Sequence, residues 1–169
     1  MAYQKLQVSQ ALPVIISDTV HIPDPSTEVL TGTADFTGGN LVDVGTTFLS
    51  DGIQTNAIVY NTTANIAYYV TEVVDDLTLT LSPASAGGAS DAYVIYNRAT
   101  IGAVLYIGEG GNIAMLMAAK KDAPGTVAAN STNFTGFLAG SFLPTQVVGV
   151  AETGPSGFHT TASGIIALW

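Results

Sequence analysis

The chain contains no cysteine, which excludes disulfides and thiolate metal sites and leaves packing alone to hold it together. Cations are almost as scarce. Lys5, Arg98, Lys120 and Lys121 stand against 13 acids, for a net charge of -9. Nucleic-acid binding needs clustered cations to displace phosphate counterions, and only two of these four are adjacent. Neither nucleic acid nor an anionic membrane surface is an expected partner. Long hydrophobic runs are missing too, since none approaches the roughly 18 apolar residues of a membrane span. The opening MAYQKLQVSQ lacks the apolar core of a signal peptide. The expectation is a soluble protein folded in a reducing cytoplasm.

Chemistry is absent in the same way. His21 and His159 lie far apart, and TGPSGF is not a G-x-S-x-G nucleophile elbow. GEGGN (108–112) has the glycines of a phosphate loop but neither its lysine nor a following helix. Asp75-Asp76 and the other acids miss the spacing of a calcium loop and fit turns, leaving open only a calcium ion shared between subunits. Asn61, Asn130 and Asn133 open N-x-S/T triplets that, without a secretory signal, are ordinary turns. No catalytic residue, cofactor or resident metal is expected, and the protein is read as no enzyme.

What is present is β-like. Charged residues make up only 10% of the chain, against about 25% in typical proteins. Thr and Ser supply the polarity instead, and β-branched Thr suits a half-buried pleated surface. Residues 30–97 hold seven acids and no cation, while PDP at 23–25 and SPASAGG at 82–88 border that segment with turn chemistry. Asp24 before Pro25 fits the cap of one short helical turn. Period-two stretches inside the segment (56–61, 65–73, 77–82, 92–96) predict strands, and DVGTTFLSDG could hold a helical turn. Outside it, strands are expected at 5–10, 13–22, 103–108, 112–119, 133–137, 145–151 and 163–169. Gly110-Gly111 reads as the hairpin turn joining two of them. The domains are therefore 1–29 with 98–169, interrupted by an acidic β module at 30–97.

The chain ends on IIALW, its only tryptophan being Trp169. Residues alternate across a strand, so Ile166, Leu168 and Trp169 cannot all face one way. Some of this apolar surface is expected to meet a neighbouring subunit. By the same alternation one of Tyr68 and Tyr69 faces outward, to stack on a sugar, to enter an interface or, as readily, to cover the module's own edge.

The order of short motifs carries a resemblance. Ser17-Asp18 with Ile22-Pro23, Leu105-Tyr106-Ile107-Gly108, Gly140-Ser141-Phe142-Leu143-Pro144 and Ala167-Leu168-Trp169 are similar to segments of the head spike base proteins of tailed phages and gene transfer agents. The likeness spans roughly 7–25 and 102–169. It implies an all-β, antiparallel β-sandwich (jelly-roll-like) with an inserted small β module, and it carries over no catalytic residue. It also implies a virion structural protein on the capsid surface, as head decoration, cement protein or spike base. Its partners would be itself, as a trimer or pentamer, and the major capsid protein or other virion proteins. Trp169, Leu168, Ile166, Phe142, Leu143, Tyr68 and Tyr69 are the structural and interface candidates. The alternative is a receptor- or glycan-binding module of a tail fibre or baseplate.

Overall fold

Period-two patterning becomes strands along most of the chain. The computed structural model describes residues 8–85 and 87–169. The fold is all-β, built of antiparallel sheets in a sandwich-like arrangement with one small closed barrel.

A short strand β1 (Ala11–Pro13) comes first. Then β2 (Glu28–Thr37), β3 (Asn40–Val42), β4 (Ile58–Asn61), β5 (Ile66–Val73), β6 (Thr78–Ser82) and β7 (Asp91–Tyr96) close into the barrel. Their order round it is β2-β3-β6-β5-β4-β7. Alternation explains the closure. In β6, Leu79 and Leu81 turn inward while Thr78 and Thr80 stay on the outer side. Phe36 stacks on Tyr68 at 5.8 Å and meets Tyr93 edge-on at 6.4 Å, filling the interior with aromatic rings. DVGTTFLSDG makes its single expected turn, with Asp51 N donating to Thr47 O at 2.8 Å, but the turn does not extend into a helix. Phe48 is instead fully buried in the barrel core, and its amide donates to the Asp76 carbonyl at 2.9 Å. Two glycines and two threonines give that segment little helix propensity to oppose the plug.

Chain entry and exit at the barrel lie side by side. Asp24 N donates to Arg98 O at 2.9 Å, and Asn97 N to Thr27 O at 3.0 Å. Pro25–Thr27 forms the short 3-10 turn, with the Asp24 carboxylate accepting from Ser26 N at 2.9 Å.

The second sheet holds β8 (Ala103–Glu109), β9 (Gly111–Met117), β10 (Thr132–Phe137), β11 (Ser141–Ala151) and, after a small hairpin, β14 (Ser163–Leu168). The hairpin is β12 (Thr153–Gly154) with β13 (Phe158–His159), and one helical turn, α1 (Val127–Asn130), precedes β10. The sheet order is β1-β14-β8-β11-β9-β10. Gly110-Gly111 is not a hairpin turn, because β8 and β9 do not pair with each other. β10 follows one edge of β9 (Phe137 opposite Gly111) and β11 follows β8 (Ser141 opposite Ile107). Val147 then pairs with Ala103 on one side and Met117 on the other, so the sheet rolls over its own core. Glycine is required at 110 by close backbone approach, since a Cβ there would stand 2.9 Å from Ala139 N and closer still to Phe137 O.

The strand expected at 13–22 is also corrected. Only residues 11–13 join the ladder. Residues 14–22 are held by spaced bonds, among them Val14 N to Ile165 O at 2.9 Å and Ile22 N to Val148 O at 2.8 Å. Ser17 interrupts the run, its hydroxyl accepting from Val20 N at 3.1 Å and so competing with the ladder. Of the strand expected at 5–10, residues 5–7 lie outside the described residues and 8–10 are not in a strand. The strand expected at 112–119 stops at Met117, where a 3-10 turn, Ala118–Lys120, begins.

Candidate functional site

The rolled sheet has an inner face and an outer one, and the described residues cover only half of the outer face. Inward positions Leu105, Ile107, Leu143, Ile165 and Ala167 form one buried cluster with Ile113, Met115 and Val150. Outward positions on β9 and the second half of β11 (Ala114, Leu116, Val148, Ala151) are covered by Val127 of α1, with Phe158 packed alongside. The other half, over β1, β14, β8 and the start of β11, has no such cover among the described residues, and its side chains are half-buried against one another except Pro13 and Phe142, which are exposed. There the register lines up Pro13, Ile166, Tyr106 and Phe142 in one row across four strands. Leu168 and Val104 form the next row. Phe142 is 56% exposed, and its ring lies 5.2 Å from that of Tyr106. None of these six residues is charged.

The interface candidates therefore divide by alternation. Ile166, Leu168 and Phe142 come together on the outer half-face, the first two half-buried and Phe142 exposed. Leu143 points the other way, into the core. Trp169 follows the inward parity of Ile165 and Ala167 and packs half-buried against that core. Its Nε1 donates to Thr100 Oγ1 at 2.9 Å. Tyr106 and Val104 belong to the face although neither was singled out from the sequence. The alternation of AVLYIG carries the signal once one register is known.

The two tyrosines also divide. Tyr68 lies in the barrel core at 1% exposure. Tyr69 is on the barrel's outer side, packed with Tyr60 and Tyr96 against Ile15 and Val20 of the first segment. Its hydroxyl accepts from His21 N at 3.0 Å and also bonds His21 Nδ1. Neither ring is laid open to solvent as a stacking platform.

The Ser17-Asp18 motif has a structural task. Asp18 accepts from Thr153 N at 2.8 Å and from Thr153 Oγ1 at 2.6 Å, tying the first segment to β12. Among the described residues, no three His, Asp or Glu side chains are placed to share a metal ion. His21 lies at the seam between barrel and sheet, whereas His159 is exposed on β13.

Burial lowers the His21 pKa below its ordinary 6.5, with Asp122 opposing and Lys121 reinforcing the shift to lesser extents. The unfolded chain therefore takes up this proton before the folded one does. The contribution of neutral His21 is fully present above pH 6.5 and is lost as pH falls through the lowered folded value. A denaturation midpoint that drops between pH 7.5 and pH 5 in the wild type, and drops less in His21→Gln, is the expected result.

No family model, no curated protein and no solved structure matches the chain, so the likeness to spike base proteins rests on its short motifs alone.

Proposed function

We propose that this protein is a non-enzymatic structural subunit of a tailed-phage virion, placed on the capsid exterior as head decoration or spike base. The observation that carries this reading is the uncharged half-face of the rolled sheet, which no other described element covers and on which Phe142 stands exposed. A chain with net charge -9 repels its copies wherever acids face each other, and the Phe142–Tyr106–Ile166 row is free of that repulsion. Apolar sheet faces of this kind mark protein contacts, and a capsid lattice repeats each modest contact many times. Low charge elsewhere suits a surface shared with neighbouring subunits. The rival, a glycan-binding tail module, drew on an exposed tyrosine at 68 or 69, and neither ring is free for that use.

Placement is tested by antibody against the chain applied to intact particles, where head labelling is expected and tail-tip labelling would reject the reading. At the level of the face, Phe142→Asp and Ile166→Asp should each leave a folded protein that has lost self-association or attachment to capsids by tenfold or more. Light scattering and capsid co-sedimentation read the two effects. Unchanged assembly in both variants would remove the face from the account.

A further inference from the structure

Outside that face, exposed apolar side chains gather at one end of the barrel. Val44 (85% exposed), Leu49, Val74 and Leu77 are four of the eight exposed large hydrophobics among the described residues. They belong to two loops that are bonded to each other. Asp43 N donates to Leu77 O at 2.9 Å, Phe48 N to Asp76 O at 2.9 Å, and Leu49 N to Asp76 Oδ1 at 3.2 Å. Phe48, plugged into the barrel core, fixes the first loop with Leu49 turned out. The tip is thus held in place rather than loose, which lowers the ordering cost of a contact. Glu72 and Asp75 flank it, both exposed, and residues 30–97 contain no cation to neutralise them. Two such tips would repel each other, so the partner surface must be apolar and cationic.

This chain carries such a surface itself. Ile101 is 78% exposed beside a hollow of about 240 Å³ lined also by His21, Ala99, Thr100, Lys121 and Asp122. Arg98 and Lys120 adjoin it in sequence, which brings all three described cations to this region. Asp122 engages Lys121 at 2.7 Å. That pair is exposed and between sequence neighbours, so it offsets only part of the positive charge. No other ion pair occurs among the described residues, so the acidic tip does not fold back onto these cations within one copy. The first tip loop runs on to Gly52, whose carbonyl accepts from Asn97 Nδ2 at 3.1 Å, so tip and cationic region share one end of the barrel but stand on different sides of it. β3 and β6, which lead into the tip loops, stand across the barrel from β4 and β7. Ile58 and Tyr60 of β4 and Tyr96 of β7 pack on the first segment beside the rolled sheet.

We infer that the barrel tip of one copy docks on the Ile101 region of a second copy, apolar centre to apolar centre with acids against cations. The contact is heterologous, since two different patches meet, and such contacts build rings or chains. The inference deepens the self-assembling reading above and rests on it for the identity of the partner.

Charge exchange tests it on the full chain. Glu72→Lys at the tip, which breaks no hydrogen bond described above, and Lys120→Glu with Lys121→Glu at the other patch should each lower self-association by about tenfold or more. Val44→Ser should do so without any change of charge. Mixing the Glu72→Lys protein with the Lys120→Glu/Lys121→Glu protein should restore association, because each then offers the other a complementary pair. Raising salt from 0.05 to 0.5 M should weaken the wild-type contact, since screening shortens the reach of exposed charges. Mass photometry or sedimentation reads all of these. A monomeric wild type, or a mixture that fails to recover, would overturn the inference. Association lost in Phe142→Asp but untouched by every tip and patch variant would overturn it too, while leaving the sheet-face reading intact.

Discussion

Deleting Ala167, Leu168 and Trp169 should cost the protein about 3–5 kcal/mol and leave it marginally folded or aggregating. Replacing a buried Trp by Ala typically costs about 3–5 kcal/mol, and half-burial puts Trp169 alone at the lower end of that range. The deletion removes more than the ring. Ala167 is fully buried between Leu105 and Leu12 in the ladder, and Leu168 joins Val104 to Ala11. Trp169 N donates to Gln10 O at 3.1 Å, and its carbonyl accepts from Ser9 N at 2.6 Å. Without these partners β1 loses most of its pairing, and Thr100 Oγ1 loses the indole donor. Domains are stable by only about 5–15 kcal/mol, so the loss is a large share of the total. Urea denaturation followed by circular dichroism measures it. In the intact chain, Trp169 emission should be blue-shifted and only partly quenchable. A truncated protein with an unchanged midpoint would show that the last strand is dispensable.

Phe36→Ala is expected to be nearly as costly, about 3–5 kcal/mol for a buried Phe, but its effect should be confined. Phe36 is 1% exposed and touches the rings of Tyr68 and Tyr93, so the cavity opens in the barrel core. Barrel strands pair with one another, and the rolled sheet has its own core. Hydrogen exchange should therefore accelerate across β2–β7 while amides of β8, β11 and β14 keep their protection, as for separately opening units. Uniform loss of protection would mean that the barrel and the sheet unfold as one cooperative body.

The parts legible in the sequence are those set by local alternation. LTLTL gave away β6, and IIALW placed Ile166 and Leu168 opposite Trp169 before any partner strand was known. β2 was not foreseen, because EVLTGTADFT mixes Gly, Ala and Thr too evenly to show a clear period. Gly110-Gly111 was misread because glycine marks both turns and close backbone approach, and only the position of Phe137–Ala139 decides between them. Which residues meet Tyr69 cannot be read from YYV. One is His21, which the fold brings from 48 residues away. The cationic region is equally non-local, since Lys121 meets Ala99 and Ile101 only in the folded hollow.

The side-by-side entry and exit of the barrel bears on the order of folding. Residues 23 and 99 are bridged, and between them lies a unit made of its own nearest pairings. Closing a long flexible loop costs entropy that grows with the logarithm of its length. Once the barrel has formed, that long excursion shrinks to a short link, which lowers the closure cost of joining the first segment to β8 and its neighbours by about 2 kcal/mol. Pairing between distant segments is the slow step of all-β folding. The barrel thus acts as an internal clamp, and a nascent chain that completes it early holds residues 8–22 close to where the rolled sheet will later take them in.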